Sequence, residues 1–377
     1  MEEKCNIIKL SLAKNFKYNV LYKLFQDGKS ACEIVKNIDV INKTLKNKIE
    51  LPNDDVVEKT LQQAKELDIQ IITFKNDEYP EYLKLTDSFP FVLYCKGNLK
   101  LFKASKTVAI IGSRNTSLNN FQYTKKISEE IGKYGYIVIA GMARGIDSAA
   151  HIGALKTGTI AVLGGGVNNI YPPENKQLYN DILENNGLII SEFPIDSPPI
   201  AEHFPQRNRI IAGLAKGVLI VDAGKRSGTL HTANQALKFG REVMAFPGNP
   251  YDEKYQGSNE LLKNGATLVV CTEDILENLE SFMMDFNLFD DKNIVYNPDE
   301  EKVKEQKFDF KNEEQKIVYD SIDDEILSKL DYSPIKLENL VDMFNIDVSN
   351  LLSILTKLEL QDKIIMQNGQ ICLKLKI

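Results

Sequence analysis

The 377-residue sequence lacks several features that mark common protein classes. No apolar run approaches the roughly 18 residues that a membrane-spanning helix needs, and Glu2 and Glu3 stand where a secretory signal would be basic. The five cysteines are an odd number without a CxxC pair, which indicates neither a disulfide framework nor a zinc site. We therefore expect a protein of the cytosol whose cysteines are small buried hydrophobic residues.

Basic residues are in deficit, but the deficit is local. The net charge is −7, and residues 276–335 alone contain 7 Lys and Arg against 17 Asp and Glu. In residues 105–275, 17 basic residues nearly balance 16 acidic ones. The acidic total therefore does not exclude a basic cleft in the central part of the chain.

Glycine is concentrated in that central segment, which holds 19 of the 22. Apolar runs typical of strands alternate there with helical stretches around 119–134, 147–157 and 229–239. The runs are VAIIG (108–112), YIVIAG (136–141), TIAVLGGG (159–166), GLIISEF (187–193), GVLIVDAG (217–224) and EVMAFPG (242–248). This pattern predicts an α/β fold with a doubly wound, mostly parallel sheet, whose ligands bind beyond the carboxyl ends of the strands.

The length and the flanking segments predict further units. Residues 1–65 have helical periodicity, and 69–97 contain two strand-like runs around a short helix, which we expect to extend the sheet at its edge. The central domain is predicted at 66–280, an acidic linker at 281–317 and a winged-helix domain at 318–377. In the last, helices near 323–331, 337–344 and 348–360 precede a hairpin at Asn368-Gly369. Its third helix offers only Lys357 as a base, which favours a structural or protein-contact role.

The first central strand leads into GSRNTS, a glycine-led loop that opens toward a helix. Backbone N–H groups after Gly112 could bind an anion, Arg114 would add a forked donor, and Ser113 and Ser117 would add hydroxyl groups. The loop matches neither the GxGxxG dinucleotide fingerprint nor the Walker A pattern. The alternative is that Gly112 only makes the turn and Arg114 forms a surface salt bridge.

The next strand leads into AGMARGIDSAAH, which places Arg144 on a loop as a further candidate cation. Asp147 and His151 are four residues apart, a spacing that invites a metal or acid–base site. The chain has only three histidines and no motif that joins them, so no metal or cofactor is indicated. Asp147 is better explained as a helix cap or a loop anchor.

Two later loops offer similar chemistry. In FPQRNR, Arg207, Asn208 and Arg209 precede an apolar helix and could bind phosphate or base edges, or the arginines could pair internally with Asp222 or Glu192.

Ser227, Gly228 and Thr229 could present donors to an anion or simply cap the following helix. The loops led by Gly112, Arg207 and Ser227 should converge on one edge of the sheet, which predicts a polyanion site.

In this order, GSRNTS, AGMARGIDSAAH, AVLGGGVNNIYPPEN, SEFP, FPQRNRIIAGLAKG, SGTLHTANQAL and VMAFPG closely resemble the DNA-processing protein A family, also called DprA or Smf. The resemblance spans about residues 78–277. It implies a Rossmann-like core, with the helical start as a SAM-like domain and the tail as the winged helix.

The resemblance further implies a non-catalytic, dimeric protein that binds single-stranded DNA and loads the RecA recombinase during natural transformation. Gly112, Ser113 and Arg114 would form the phosphate pocket with residues of FPQRNR. Tyr171 and Phe204 are candidates for base stacking, although we expect Phe204 mainly in the core. The sequence departs from the usual family pattern at Ala140, Ala215, Asp222 and His231, none of which removes a phosphate donor.

The alternative is a nucleotide-binding enzyme similar to the lysine-decarboxylase-like phosphoribohydrolases. Those enzymes carry a PGGxGTxxE motif, and the nearest strings here, LGGG (163–166) and RSGTLHTA (226–233), lack the catalytic glutamate at that spacing. A nicotinamide-dependent oxidoreductase is disfavoured by the absence of GxGxxG.

Overall fold

The computed structural model describes residues 2–15, 18–287, 326, 335–344, 347–361, 363–367 and 370–373. The chain divides into two compact units, Met1–Pro298 and Asp299–Ile377. Within the described ranges, no helix is long and apolar enough to cross a membrane.

A nine-stranded sheet forms the centre of the first unit, in the order β1-β2-β6-β5-β4-β3-β7-β8-β9. The strands are β1 (Gln70–Thr73), β2 (Val92–Gly97), β3 (Thr107–Ile111), β4 (Ile137–Ala140), β5 (Thr159–Val162), β6 (Leu188–Ser191), β7 (Gly217–Ile220), β8 (Glu242–Ala245) and β9 (Thr267–Leu268). From β6 to β9 all neighbours are parallel, and β1 and β2 add an antiparallel edge. The predicted doubly wound sheet and its added edge are both confirmed.

The strand order places a switch point between β3 and β7. The chain proceeds from β3 to β6 on one side and from β7 to β9 on the other, so the crossover helices cover opposite faces. Every residue of β3 and β7 is buried, as expected for strands covered on both faces. In such sheets, a crevice opens beside the carboxyl ends of the two strands at the switch point.

The helices that follow the parallel strands begin at the predicted loops. They are α7 (Leu118–Lys133), α8 (Ile146–Ala154), α9 (Lys176–Glu184), α10 (His203–Leu214), α11 (Gly228–Lys238), α12 (Gln256–Lys263) and α13 (Thr272–Asn287). Helix α10 differs from the prediction, because FPQRNR lies inside the helix rather than before it. Pro205 is in the first turn, where proline is tolerated since its missing N–H would have no partner there.

The helical start packs on the edge of the sheet. It comprises α1 (Glu2–Ser11), α2 (Tyr18–Gln26), α3 (Ala31–Lys36), α4 (Ile38–Asn42) and α5 (Asp54–Glu66), while α6 (Glu81–Lys84) links β1 and β2. Tyr18 stacks on Phe91 at 4.9 Å between ring centroids, and Phe25 meets Phe74 edge-on. The helices and the sheet therefore share one hydrophobic core.

The expectation of buried cysteines is correct for Cys95 and wrong for three others. Cys5, Cys32 and Cys271 are only half-buried. All four are free thiols.

The second unit contains β10 (Ile335–Lys336), α14 (Leu337–Phe344), α15 (Val348–Leu360), β11 (Ile364–Gln367) and β12 (Gln370–Leu373). Its sheet has the order β10-β12-β11, and β11 pairs antiparallel with β12. Two predicted helices and the two hairpin strands are present. The predicted helix 323–331, apart from residue 326, and the Asn368-Gly369 turn lie outside the described residues, as does the predicted linker beyond residue 287, so the winged helix and the domain boundaries stay predictions.

Candidate functional site

A cavity of about 360 Å³ opens at the switch point, beyond the carboxyl ends of β3 and β7. Its lining includes eight of the predicted site residues: Gly112, Ser113, Arg114, Arg207, Asn208, Ser227, Gly228 and Thr229. The loops led by Gly112 and Ser227 and the helix that carries Arg207 therefore meet in one place, as the sequence predicts. We call this cavity the switch-point pocket.

Asp222, which follows β7, holds the loop between β3 and α7 in place. Its fully buried carboxylate accepts hydrogen bonds from the Ser113 backbone N–H (2.6 Å), the Thr116 hydroxyl (2.6 Å) and the Asn120 amide (3.1 Å). A Cβ atom at Gly112 would lie 2.6 Å from Asp222 Oδ1, so this approach requires glycine. Asp222 thus shapes the loop and is not an arginine partner, one of the alternatives considered from sequence.

The main donor that the β3–α7 loop offers to the pocket is the Arg114 side chain and not its backbone N–H groups. The Ser113 N–H is taken by Asp222, and the Asn115 N–H donates to Ser113 Oγ at 3.1 Å. Arg114 is exposed, and among the described residues no carboxylate pairs with it. Its guanidinium lies 5.3 Å from the centre of the Phe204 ring, a stacking geometry that leaves the N–H edge open to an anion.

Arg207 lines the pocket but directs its donors into the fold. Its side chain is 4% exposed and donates to the carbonyl oxygens of Gly141 and Val162. Gly141 directly follows β4, and Val162 is the last residue of β5. Its Nε donates to Asn208 Oδ1 at 3.1 Å. Burial lowers the pKa of Arg207 to about 10, although the Asp147 carboxylate acts in the opposite direction. Arg207 therefore forms the floor of the pocket and orients Asn208.

Arg209 does not reach the pocket. It pairs with Glu192, donates to the Ser88 carbonyl oxygen and lies 5.9 Å from the Tyr18 ring. Residues two apart on a helix point about 200° apart, so Arg207 and Arg209 face opposite sides of α10. The internal ion pair considered as an alternative applies to Arg209.

Asp147 is the loop anchor that the sequence suggests. It accepts from the N–H groups of Gly141 (3.0 Å) and Ala143 (3.3 Å), and burial raises its pKa against the opposing effect of Arg207. His151 is fully buried, with Nδ1 2.7 Å from Thr159 Oγ1, and burial lowers its pKa to about 3. Among the described residues, no three His, Cys, Asp or Glu side chains are grouped to hold a metal ion.

A smaller recess beside the pocket is lined by Arg114, Arg144, Tyr171, Phe204 and their neighbours. Tyr171 is 43% exposed, and its ring lies 5.7 Å from that of Phe204. Phe204 is half-buried and lines both cavities, so the prediction that it lies mainly in the core is wrong. Arg144 lies 3.9 Å from Glu174, and both side chains are largely exposed.

The serines of the two remaining loops cap helices. Ser117 accepts from the Asn120 N–H (3.1 Å) at the start of α7 and lines neither cavity. Ser227 accepts from the Thr229 N–H (3.2 Å) at the start of α11 and also lines the pocket. The Thr229 hydroxyl donates to the Gly112 carbonyl oxygen at 3.3 Å, which ties the two loops together.

His231 also lines the pocket, although sequence reasoning did not select it as a site residue. It lies three residues after Gly228 on α11, so the two share a helix face. Helical spacing from the predicted Ser227–Thr229 site was the signal that could have identified it.

Residues 70–280 match the family model described as DNA recombination-mediator protein A. The Escherichia coli protein Smf is 41% identical over 235 residues, which cover 62% of each chain. The crystal structure of DNA processing protein A from Streptococcus pneumoniae is similar with a TM-score of 0.59, at 31% identity over 72% of this chain and 95% of that one. A structure that addresses the single-stranded DNA binding mode of the Helicobacter pylori protein has a TM-score of 0.51, at 31% identity over 57% and 97%.

Proposed function

Because the chain belongs to the DNA recombination-mediator protein A family, we propose that it binds single-stranded DNA as a recombination mediator and has no catalytic role of its own. The structurally similar Helicobacter pylori protein binds single-stranded DNA. The match spans 62% of the length of the Escherichia coli relative, less than two thirds.

The switch-point pocket carries the proposal, because no carboxylate of the described residues pairs with its exposed cation. Arg114 stands at its mouth, whereas Asp147 and Asp222 are already satisfied by hydrogen bonds within the loops. The start of α11 adds the positive end of a helix dipole. An anion such as a phosphate group would complete this arrangement.

The adjacent recess favours a DNA strand over a single anion as the ligand. Tyr171 and Phe204 present aromatic surface next to Arg114, and bases of a single strand stack on such surfaces without strong sequence preference. A strand with its phosphate in the pocket and a neighbouring base in the recess would use both cavities at once.

The phosphoribohydrolase alternative has less support from the same geometry. Among the described residues, Asp147 is the one carboxylate in the pocket lining, and it is engaged by two backbone amides. The described lining therefore lacks the pair of carboxylates that glycosidases use to cleave a glycosidic bond.

Two finer parts of the proposal derive from family membership. We propose that the chain acts as a homodimer and loads the RecA recombinase onto DNA during natural transformation. Sedimentation analysis tests the first, and RecA-dependent strand exchange on DNA coated with a single-strand-binding protein tests the second.

The central test is fluorescence anisotropy of a labelled oligo(dT) strand, and of a duplex of equal length, across a salt series. We expect preferential binding to the single strand and an affinity that falls steeply with salt, since phosphate contacts release counterions. Arg114→Ala should bind more weakly, with the slope of log K against log salt reduced by about 0.7, the value for one phosphate contact on a single strand.

Lys133→Ala is the matched control, because Lys133 is an exposed cation at the far end of α7 that lines neither cavity. It should bind like the wild type. Absence of binding by folded wild type at low salt would overturn the proposal, and release of free base from a nucleoside monophosphate would favour the enzyme instead.

A further inference from the structure

His231 is the one histidine on the wall of the switch-point pocket. It lies on the first turns of α11, and its side chain is exposed. His151 is buried on α8 against Thr159 of β5, and His203 stacks on Phe193 with a ring-centroid distance of 3.7 Å. A titratable group therefore stands where a phosphate would bind.

The charged groups around His231 come from four elements. Arg114 faces the pocket from the β3–α7 loop, Arg207 from α10 and Asp147 from α8. Lys225 and Arg226 precede α11 on its own loop, and both are exposed. In the part of the chain that the structure describes, no carboxylate lies within 4 Å of the imidazole, since the ion pairs found there involve other residues.

Positive charge prevails in the empty pocket. Arg114 and Arg207 line it, and the start of α11 adds the positive end of a helix dipole. Asp147 and Asp222 give little compensation, because Asp147 is engaged by the Gly141 and Ala143 amides and Asp222 by the Ser113 N–H. A bound phosphate would supply the missing negative charge, and contact with that charge favours the protonated form of an imidazole.

Building on the proposed function, we propose that the His231 imidazole contacts the phosphate of a bound DNA strand and takes up a proton when it does so. By linkage, a group that gains a proton on binding makes affinity rise as the pH falls. Histidine side chains change charge between about pH 5 and 8, so the effect belongs to that range. With DNA bound, His231 would add a positive charge to those of Arg114 and Arg207 at mildly acidic pH and would add none at alkaline pH.

The test compares the full-length wild type with His231→Leu by anisotropy of labelled oligo(dT) at about pH 6 and about pH 8. At the lower pH, the wild type should bind more tightly, with a salt slope steeper than that of His231→Leu by about 0.7. At the higher pH, the two proteins should agree. His231→Lys, a permanent cation, should bind tightly at both pH values. Calorimetry in two buffers of different ionisation enthalpy should show proton uptake by the wild type and less by His231→Leu.

Equal pH dependence in the wild type and His231→Leu would overturn this inference and leave the proposed function intact. Any dependence shared by the two would then belong to titratable groups that both proteins retain. Absence of binding by the wild type at both pH values would instead overturn the proposed function. Because His231 is exposed, His231→Leu should unfold like the wild type, which thermal denaturation checks.

Discussion

Replacing Asp222 by alanine tests whether this buried carboxylate shapes the pocket. Three donors would lose their acceptor: the Ser113 N–H and the Thr116 hydroxyl on the β3–α7 loop, and the Asn120 amide in the first turn of α7. Hydrogen bonds to charged groups contribute about 1.5–3 kcal/mol each. The donors are only half-buried, so water can replace part of each interaction. We therefore expect a loss near the lower end of the sum of the three, about 4–5 kcal/mol in the free energy of unfolding.

The assay is urea denaturation followed by circular dichroism, with Asp222→Asn as the matched variant. Asparagine keeps an oxygen for the Ser113 N–H but removes the charge, so its cost should be about 1–2 kcal/mol. Because Arg114 lies on the released loop, Asp222→Ala should also bind oligo(dT) about tenfold more weakly, which corresponds to about 1.4 kcal/mol. An alanine variant that unfolds within about 0.5 kcal/mol of the wild type would refute the reasoning.

Two further predictions concern the buried groups beneath the pocket. Gly141→Ala should destabilise the protein by about 2–4 kcal/mol in urea denaturation, because its Cβ would lie 2.5 Å from Arg207 Cζ. Gly228→Ala, where the added Cβ meets open space, should change little, and equal effects would contradict the prediction. The pKa of His151 is lowered from 6.5 to about 3. As the pH falls below 6.5, the unfolded state gains a proton that the folded state does not, so the free energy of unfolding should decrease by up to about 1.4 kcal/mol per pH unit. His151→Gln should show a shallower decline between about pH 6.5 and 4.5, and parallel curves would disprove this role.

The strands and the position of the site could be predicted because their signals are local. Apolar runs such as 108–112 and 217–224 end in glycine, and the structure places their ends together at the switch point. Ser227 at the start of α11 and Asp147 as a loop anchor were likewise indicated by residue type next to a helix.

The directions in which the Arg207 and Arg209 side chains point could not be predicted from such local signals. They depend on where α10 begins, and the structure starts this helix at His203, so that FPQRNR lies inside it. The role of Asp222 was also hidden, because Ser113 lies 109 residues away in sequence. Contacts of this kind arise from the strand order, which sequence periodicity does not specify.

Helix α10 contacts two parts of the protein, because its successive polar residues face in different directions. Arg207 secures the ends of β4 and β5, and Arg209 binds Glu192 beside Tyr18 of the helical start. Asn208, between them, faces the pocket. A substitution that tilts α10 would therefore move all three residues together, so this helix couples the packing of the N-terminal helices to the shape of the pocket.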